Sequence, residues 1–147
     1  MYQRLLVTTD GSALSKKAVR GAIGLAAALD AQLVALHVVP RYPMSYFEGG
    51  TAVSPTDVAR TEKAWNDRAR AMVDAVVMQA EAASVSGKGV VMQSNLVAES
   101  IQAAAKKHKC DLIVMASHGR RGLKRLLLGS ETQHVLTHGT VPMLVLR

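Results

Sequence analysis

The residues with the most chemical potential lie in one stretch, Ala116-Ser-His-Gly119-Arg-Arg-Gly122-Leu-Lys-Arg-Leu-Leu-Leu-Gly129-Ser130. Gly119 lets main chain approach a ligand closely. Gly129 and Ser130 stand ahead of a helix whose free N–H groups and positive dipole end can hold phosphate, and the Ser130 hydroxyl adds a donor. The same residues also suit a plain turn followed by a capped helix. The spacing is neither Gly-x-x-x-x-Gly-Lys-[Ser/Thr] nor Gly-x-Gly-x-x-Gly, so neither of those phosphate loops is present. Arg120, Arg121, Lys124 and Arg125 put four cations within six residues beside the stretch. They can screen a triphosphate or bind another anion, or form a solvated face. His118 can donate to a phosphate or stand in a water-exposed loop.

The elements that must position these groups can be read from the apolar pattern. Tyr2 to Thr9 reads as a strand ending at the turn and cap residues Asp10-Gly11-Ser12, and helical spacing then runs from Leu14 to about Leu29. Ala31 to Val39 is a nearly unbroken apolar run that suits a parallel strand covered on both faces, and it stops at Pro40. Arg41 to Ser54 reads as a loop. From Pro55 one long helix presents Val58, Trp65, Ala69, Met72, Val73, Val76, Ala80 and Ala83 on one face. Val90 to Ser94 is a third strand, Val97 to Lys109 a third helix, and Asp111 to Ala116 a fourth strand of central type. A short helix from Gly129-Ser130 to about His138 and a last strand, Val141 to Leu146, complete a βαβαβαβαβ order.

Such alternation predicts an α/β chain: a doubly wound, five-stranded parallel sheet with helices on both faces, forming one domain over residues 1–147. Ligands of these sheets bind at strand carboxyl ends, where the winding direction reverses. Asp10 and the segment from Ser117 to Ser130 follow strands and so qualify. Asp10 also suits a simple turn acid at a strand end.

The spacing Gly119, nine residues, Gly129-Ser130 resembles the second half of Gly-x2-Gly-x9-Gly-[Ser/Thr], the motif of nucleotide-binding members of the universal stress protein family. The resemblance extends to the opening Leu-Leu-Val-Thr-Thr-Asp10-Gly-Ser12, the Leu-His37-Val38 strand end, Cys110-Asp-Leu-Ile-Val-Met and the closing Val-Pro142-Met-Leu-Val-Leu. It implies a Rossmann-like fold and a stress-response regulator or sensor that binds ATP or another adenine nucleotide, together with Mg, with slow hydrolysis at most. By the same resemblance Asp10 and Val38 would meet adenine and ribose, Ala116, His118 and Gly119 would line the triphosphate, and Gly129, Ser130 and Thr132 would hold its phosphates. Thr9 and Arg120 join them as nucleotide-binding candidates. A homodimer joined through the last strand is also implied, and the apolar run from Val141 to Leu146 would suit it if that strand lies at an edge. The first motif glycine is Ala116 here. Its methyl group either narrows the pocket or is harmless on extended backbone. The alternative function is a family member that works through protein contacts without nucleotide.

Other chemistries are less well supported. Gly119-Arg-Arg-Gly122 satisfies the Gly-x-x-Gly clamp of KH domains, and a formal charge of +7 favours anionic partners. That clamp joins two helices, whereas this one follows a strand, and only 3% of residues are aromatic, which leaves little to stack on bases. Nucleic acid is therefore not the expected partner. His134 and His138 are one helical turn apart and could share a metal, but no Glu adjoins the first and no third ligand is apparent. The lone Cys110 excludes an intrachain disulfide and reads as a small buried hydrophobe. No apolar run reaches membrane-spanning length and no charged leader opens the chain, so a cytoplasmic location is expected.

Overall fold

Leu5, Leu6 and Val7 have no exposed surface at all, which fits a strand covered by helices on both faces. In a computed structural model that describes residues 1–43, 54–120 and 127–147, they form the middle of β1 (Arg4–Thr8). The chain continues through α1 (Ala13–Leu29), β2 (Gln32–Val39), α2 (Pro55–Ala82), β3 (Gly87–Gln93), α3 (Val97–Lys107), β4 (Leu112–Ala116), α4 (Ser130–His138) and β5 (Met143–Leu146). All strand pairs are parallel, in the order β3-β2-β1-β4-β5. This is the α/β class that the alternation predicts, and β5 does lie at an edge.

Successive strand residues point to opposite faces. Leu5, Val7, Leu33, Ala35, Leu112 and Val114 pack beneath α1 and α2. Leu6, Val34, Leu36, Ile113 and Met115 pack beneath α3 with Val135 of α4. Burying each of the Val, Leu, Ile and Met side chains among these contributes about 2 kcal/mol, so both layers hold the sheet.

Several boundaries differ from the expectations, among them the start of β1, at Arg4 rather than Tyr2. β3 begins at Gly87 rather than Val90, because the main chain of Gly87-Lys88-Gly89 pairs with Leu33, Val34 and Ala35 even though these residues carry little strand preference. α3 stops at Lys107 rather than Lys109, where Lys109 turns to φ 54 and ends the helix. β5 begins at Met143, two residues later than expected. The four buried residues of the long α2, Ala69, Val73, Val76 and Ala80, all belong to the face expected for it and all lie in its second half.

From β1 the chain steps outward through β2 to β3, then crosses back to place β4 and β5 on the other side. The winding direction therefore reverses between β1 and β4, whose carboxyl ends are Thr8 and Ala116.

Candidate functional site

At that reversal a crevice of about 920 Å³ opens over the strand ends. Every sequence-predicted site residue among Thr9, Asp10, Val38, Ala116, His118, Gly119, Arg120, Gly129, Ser130 and Thr132 lines it. Arg121, Gly122, Lys124 and Arg125 lie outside the described residues, as does the central part of the loop expected between Arg41 and Ser54.

The β1 side is built by a tight turn. The Ser12 N–H donates to Asp10 Oδ1 at 2.9 Å, and Ser12 Oγ in turn accepts from the Ser15 N–H at 3.1 Å as the cap of α1. Thr9 is buried; its N–H donates to Leu36 O at 3.0 Å and its hydroxyl accepts from the Gly11 N–H at 3.3 Å. Thr9 O lies 2.6 Å from His37 Nδ1, which places the ring proton on Nδ1 because a carbonyl only accepts.

The β4 side is tied to this turn through Asp10. Asp10 Oδ2 accepts the Arg120 N–H at 3.0 Å, bridging the two strand ends across the crevice. Burial pushes the Asp10 carboxyl up, but donors at Ser12, Ser15 and Arg120 together outweigh it and hold the group below its ordinary value. A Cβ on Gly119 would stand 2.8 Å from Asp10 Oδ2, closer than real Cβ contacts come. Gly119 is thus required by close approach. Ala116 ends β4 on extended backbone paired with Leu146, so its Cβ carries no conformational strain.

The floor near α4 has a different character. Gly129 is the N-cap of α4, and no side chain caps this helix. The Gly129 N–H donates to Ser117 O at 2.8 Å, and Gln133 is the first residue whose N–H closes onto Gly129 O. The N–H groups of Ser130, Glu131 and Thr132 therefore have no acceptor within the helix. A Cβ on Gly129 would meet His118 Cα at 3.1 Å, so glycine lets the His118 segment lie directly against the helix start. Thr132 is buried, and its hydroxyl donates to Ala116 O at 3.0 Å, pinning α4 to the end of β4. Glu131 turns aside to accept the Ala98 N–H at 3.1 Å, serving the start of α3, which lacks a side-chain cap of its own. His118 is half-buried, with Nδ1 3.0 Å from Ser117 Oγ.

Several lining residues were not singled out from sequence. Trp65, placed by helical spacing on the apolar face of α2, is half-buried in the crevice wall and stacks on Tyr42 with ring centroids 6.0 Å apart. Arg41 and Asn95 also line it, joined by the Arg41 N–H donating to Asn95 Oδ1 at 2.9 Å. Both follow strands, so the rule that pointed to Asp10 could have found them.

The other singled-out groups lie apart from the crevice. The His134 and His138 rings meet edge-on at 4.5 Å, and His134 Nε2 is 3.7 Å from Glu99 Oε1. Among the described residues no three His, Cys, Asp or Glu gather as a metal site. Burial pushes the Cys110 thiol up to about 11, which keeps it protonated and unreactive. No described helix is long and apolar enough to cross a membrane.

The sequence profile described as the universal stress protein family matches residues 1–147. The chain belongs to the universal stress protein family. A universal stress protein of Methanocaldococcus jannaschii is 31% identical over 147 residues, covering 100% of this chain and 83% of the relative. A universal stress protein of Thermus aquaticus is also 31% identical, over 100% of both chains. Among solved structures, a universal stress protein in complex with cAMP is 27% identical with a TM-score of 0.71, over 99% of this chain and 97% of that one. The winding reversal between β1 and β4 thus belongs to a fold that holds an adenine nucleotide in that relative.

Proposed function

We propose that this universal stress protein is a stress-response regulator that binds ATP or another adenine nucleotide in the crevice between β1 and β4. The observation that carries the reading is the uncapped start of α4. Its amides at Ser130, Glu131 and Thr132 find no acceptor among the described residues and line the crevice, and a phosphate supplies one. The cAMP complex of a relative supports the adenine class.

In this reading Thr9, Asp10 and Val38 meet the adenine and ribose, while Ala116, His118, Gly119 and Arg120 line the phosphate chain. Gly129, Ser130 and Thr132 hold its end, Thr132 through its N–H because its hydroxyl proton already serves Ala116. The crevice's carboxylates among the described residues are Asp10 and Glu131, and Glu131 is occupied with α3. A Mg ion suits this donor set only as a companion of the phosphates, with Asp10 beside it, because Mg keeps most of its waters and leans on substrate oxygens. Such an ion would neutralise phosphate charge. Asp10 is fixed by donors on both oxygens, which fits a binder with slow hydrolysis at most.

We also assign a homodimer to the edge strand β5, whose residues are all half-buried. Strand pairing about a two-fold axis would satisfy its open N–H and C=O groups. A cytoplasmic location belongs to the same proposal.

One observation favours the alternative, a protein-contact module without nucleotide. Gly119 and Gly129 are both explained by packing against Asp10 and His118 alone. Titration calorimetry with ATP and Mg separates the two. Binding to the wild type that is lost in Gly129→Val supports the nucleotide reading; equal heats, or none in either protein, overturn it.

A further inference from the structure

At the opposite end of the sheet lies a second hollow, of about 450 Å³, lined by Arg4, Lys88, Lys107, His108 and Lys109. Helix-dipole complementarity accounts for Lys106 and Lys107 in the last turn of α3. It does not account for Arg4, Lys88 and Lys109, which come from β1, β3 and the turn after α3, nor for their convergence.

The hollow is built rather than incidental. Arg4 is half-buried and fixed, its Nε donating to Gln32 Oε1 and its Nη1 to His108 O, both at 2.8 Å. Its remaining N–H groups stay available. Among the described residues no carboxylate lines the space. Asp111, the acid adjoining Arg4, is taken up by the N–H groups of Gln3 at 2.8 Å and Arg4 at 3.0 Å. Two of the end carbonyls of α3 that would repel an anion are committed, Ala105 O to the Cys110 N–H at 2.8 Å and Lys106 O to the Lys109 N–H at 3.2 Å. Burial holds the His108 imidazole below its ordinary value, and Lys88, Lys107 and Arg4 press it lower, so the repulsive field is felt inside the hollow.

We propose that this hollow is a second anion site, separate from the nucleotide crevice, which takes a compact oligophosphate of two or three phosphates without a base. The hollow has about half the crevice's volume. Among the described residues no Phe, Tyr or Trp lines it and His108 is its one ring, so a nucleobase or single-stranded nucleic acid finds no extended stacking platform there.

The test is a titration of sodium tripolyphosphate into ¹⁵N-labelled protein. The amides of Lys88, His108 and Lys109 should shift, and the His108 ring pKa should rise, since a bound anion favours the charged imidazolium. In the Lys88→Gln/Lys109→Gly double variant the affinity should fall about tenfold, as expected for two lost surface ion contacts. Its ATP affinity and fold should be retained. Shifts confined to Ser130, Glu131 and Thr132 would overturn the proposal, as would equal affinity in the double variant. It would also fail if an RNA oligonucleotide displaced the anion from these amides at a lower phosphate concentration.

Discussion

The two ends of the sheet handle helix termini in opposite ways. At the amino end, α1, α2 and α3 each finish with a left-handed residue, Asp30 at φ 53, Ser84 at φ 60 and Lys109 at φ 54. In each case the next amide returns to the last turn: Ala31 to Ala26 O, Val85 to Ala80 O and Cys110 to Ala105 O. This closes the free carbonyls. At the carboxyl end, α1 is capped by Ser12 and α2 by Ser54, but α4 starts on Gly129 with no side-chain cap. α3 also lacks a cap of its own but is served by Glu131 at the Ala98 N–H, so α4 is the helix start that no described side chain serves, at the place where the winding reverses. A parallel sheet collects free amides at one end and closed carbonyls at the other, and here the open amides mark the ligand side.

Gly129→Val should have the largest effect. Its Cβ meets main chain at His118, and displacing the α4 amides should cost at least about a hundredfold in ATP affinity by calorimetry, the equivalent of one or two charge-assisted hydrogen bonds. Unchanged affinity would detach the phosphates from α4. Thr132→Val keeps the shape but leaves the buried Ala116 carbonyl without its donor, and should lower stability by about 1–3 kcal/mol in urea unfolding. An unchanged midpoint would mean that α4 is not pinned to β4 by this bond.

Asp10→Asn tests the bridge between the strand ends and should cost about 1 kcal/mol near neutral pH. Although burial pulls the Asp10 carboxyl up, its donors leave it below the ordinary value. Its stabilisation is therefore complete above the unfolded aspartate value and lost as pH falls through the lower folded one. The gap between wild type and variant should close in acid, whereas a gap independent of pH would remove the carboxylate from the bridge. Ala116→Gly should lower stability by about 0.5–1 kcal/mol, since the strand loses a side chain and gains unfolded entropy. If the methyl narrows the crevice, ATP should bind up to about tenfold tighter; weaker binding would show that the methyl contacts the ligand. The smallest effect is at the closed end, where Lys109→Gly should raise stability by about 0.5 kcal/mol, the left-handed strain relieved less the entropy of glycine. A lower melting temperature would show that the lysine stem packs there.

Much of this contrast was legible in the sequence, because it follows from periodicity and punctuation. The alternating apolar runs gave the layers, and Asp10-Gly11-Ser12 and Gly129-Ser130 marked helix starts after strands. Gly87-Lys88-Gly89 hid the start of β3, since pairing there is made by main chain and leaves no side-chain pattern. The place of Trp65 in the crevice was hidden for a related reason. Helical spacing shows which residues share a face, but not that the first half of α2 has no buried residue and brings Trp65 to the crevice wall. The stacking of Tyr42 on Trp65 joins residues from separate elements with no shared motif. The hollow at the other end was equally hidden, its cations being scattered over Arg4, Lys88 and Lys109.

The most direct measurement of the central claim is an ATP titration followed through backbone amide shifts of the labelled protein. Saturable shifts should concentrate at Ser130, Glu131 and Thr132, with smaller ones at Gly119, Thr9 and Val38. Absent shifts at the start of α4, while ATP is present at millimolar concentration with Mg, would contradict it.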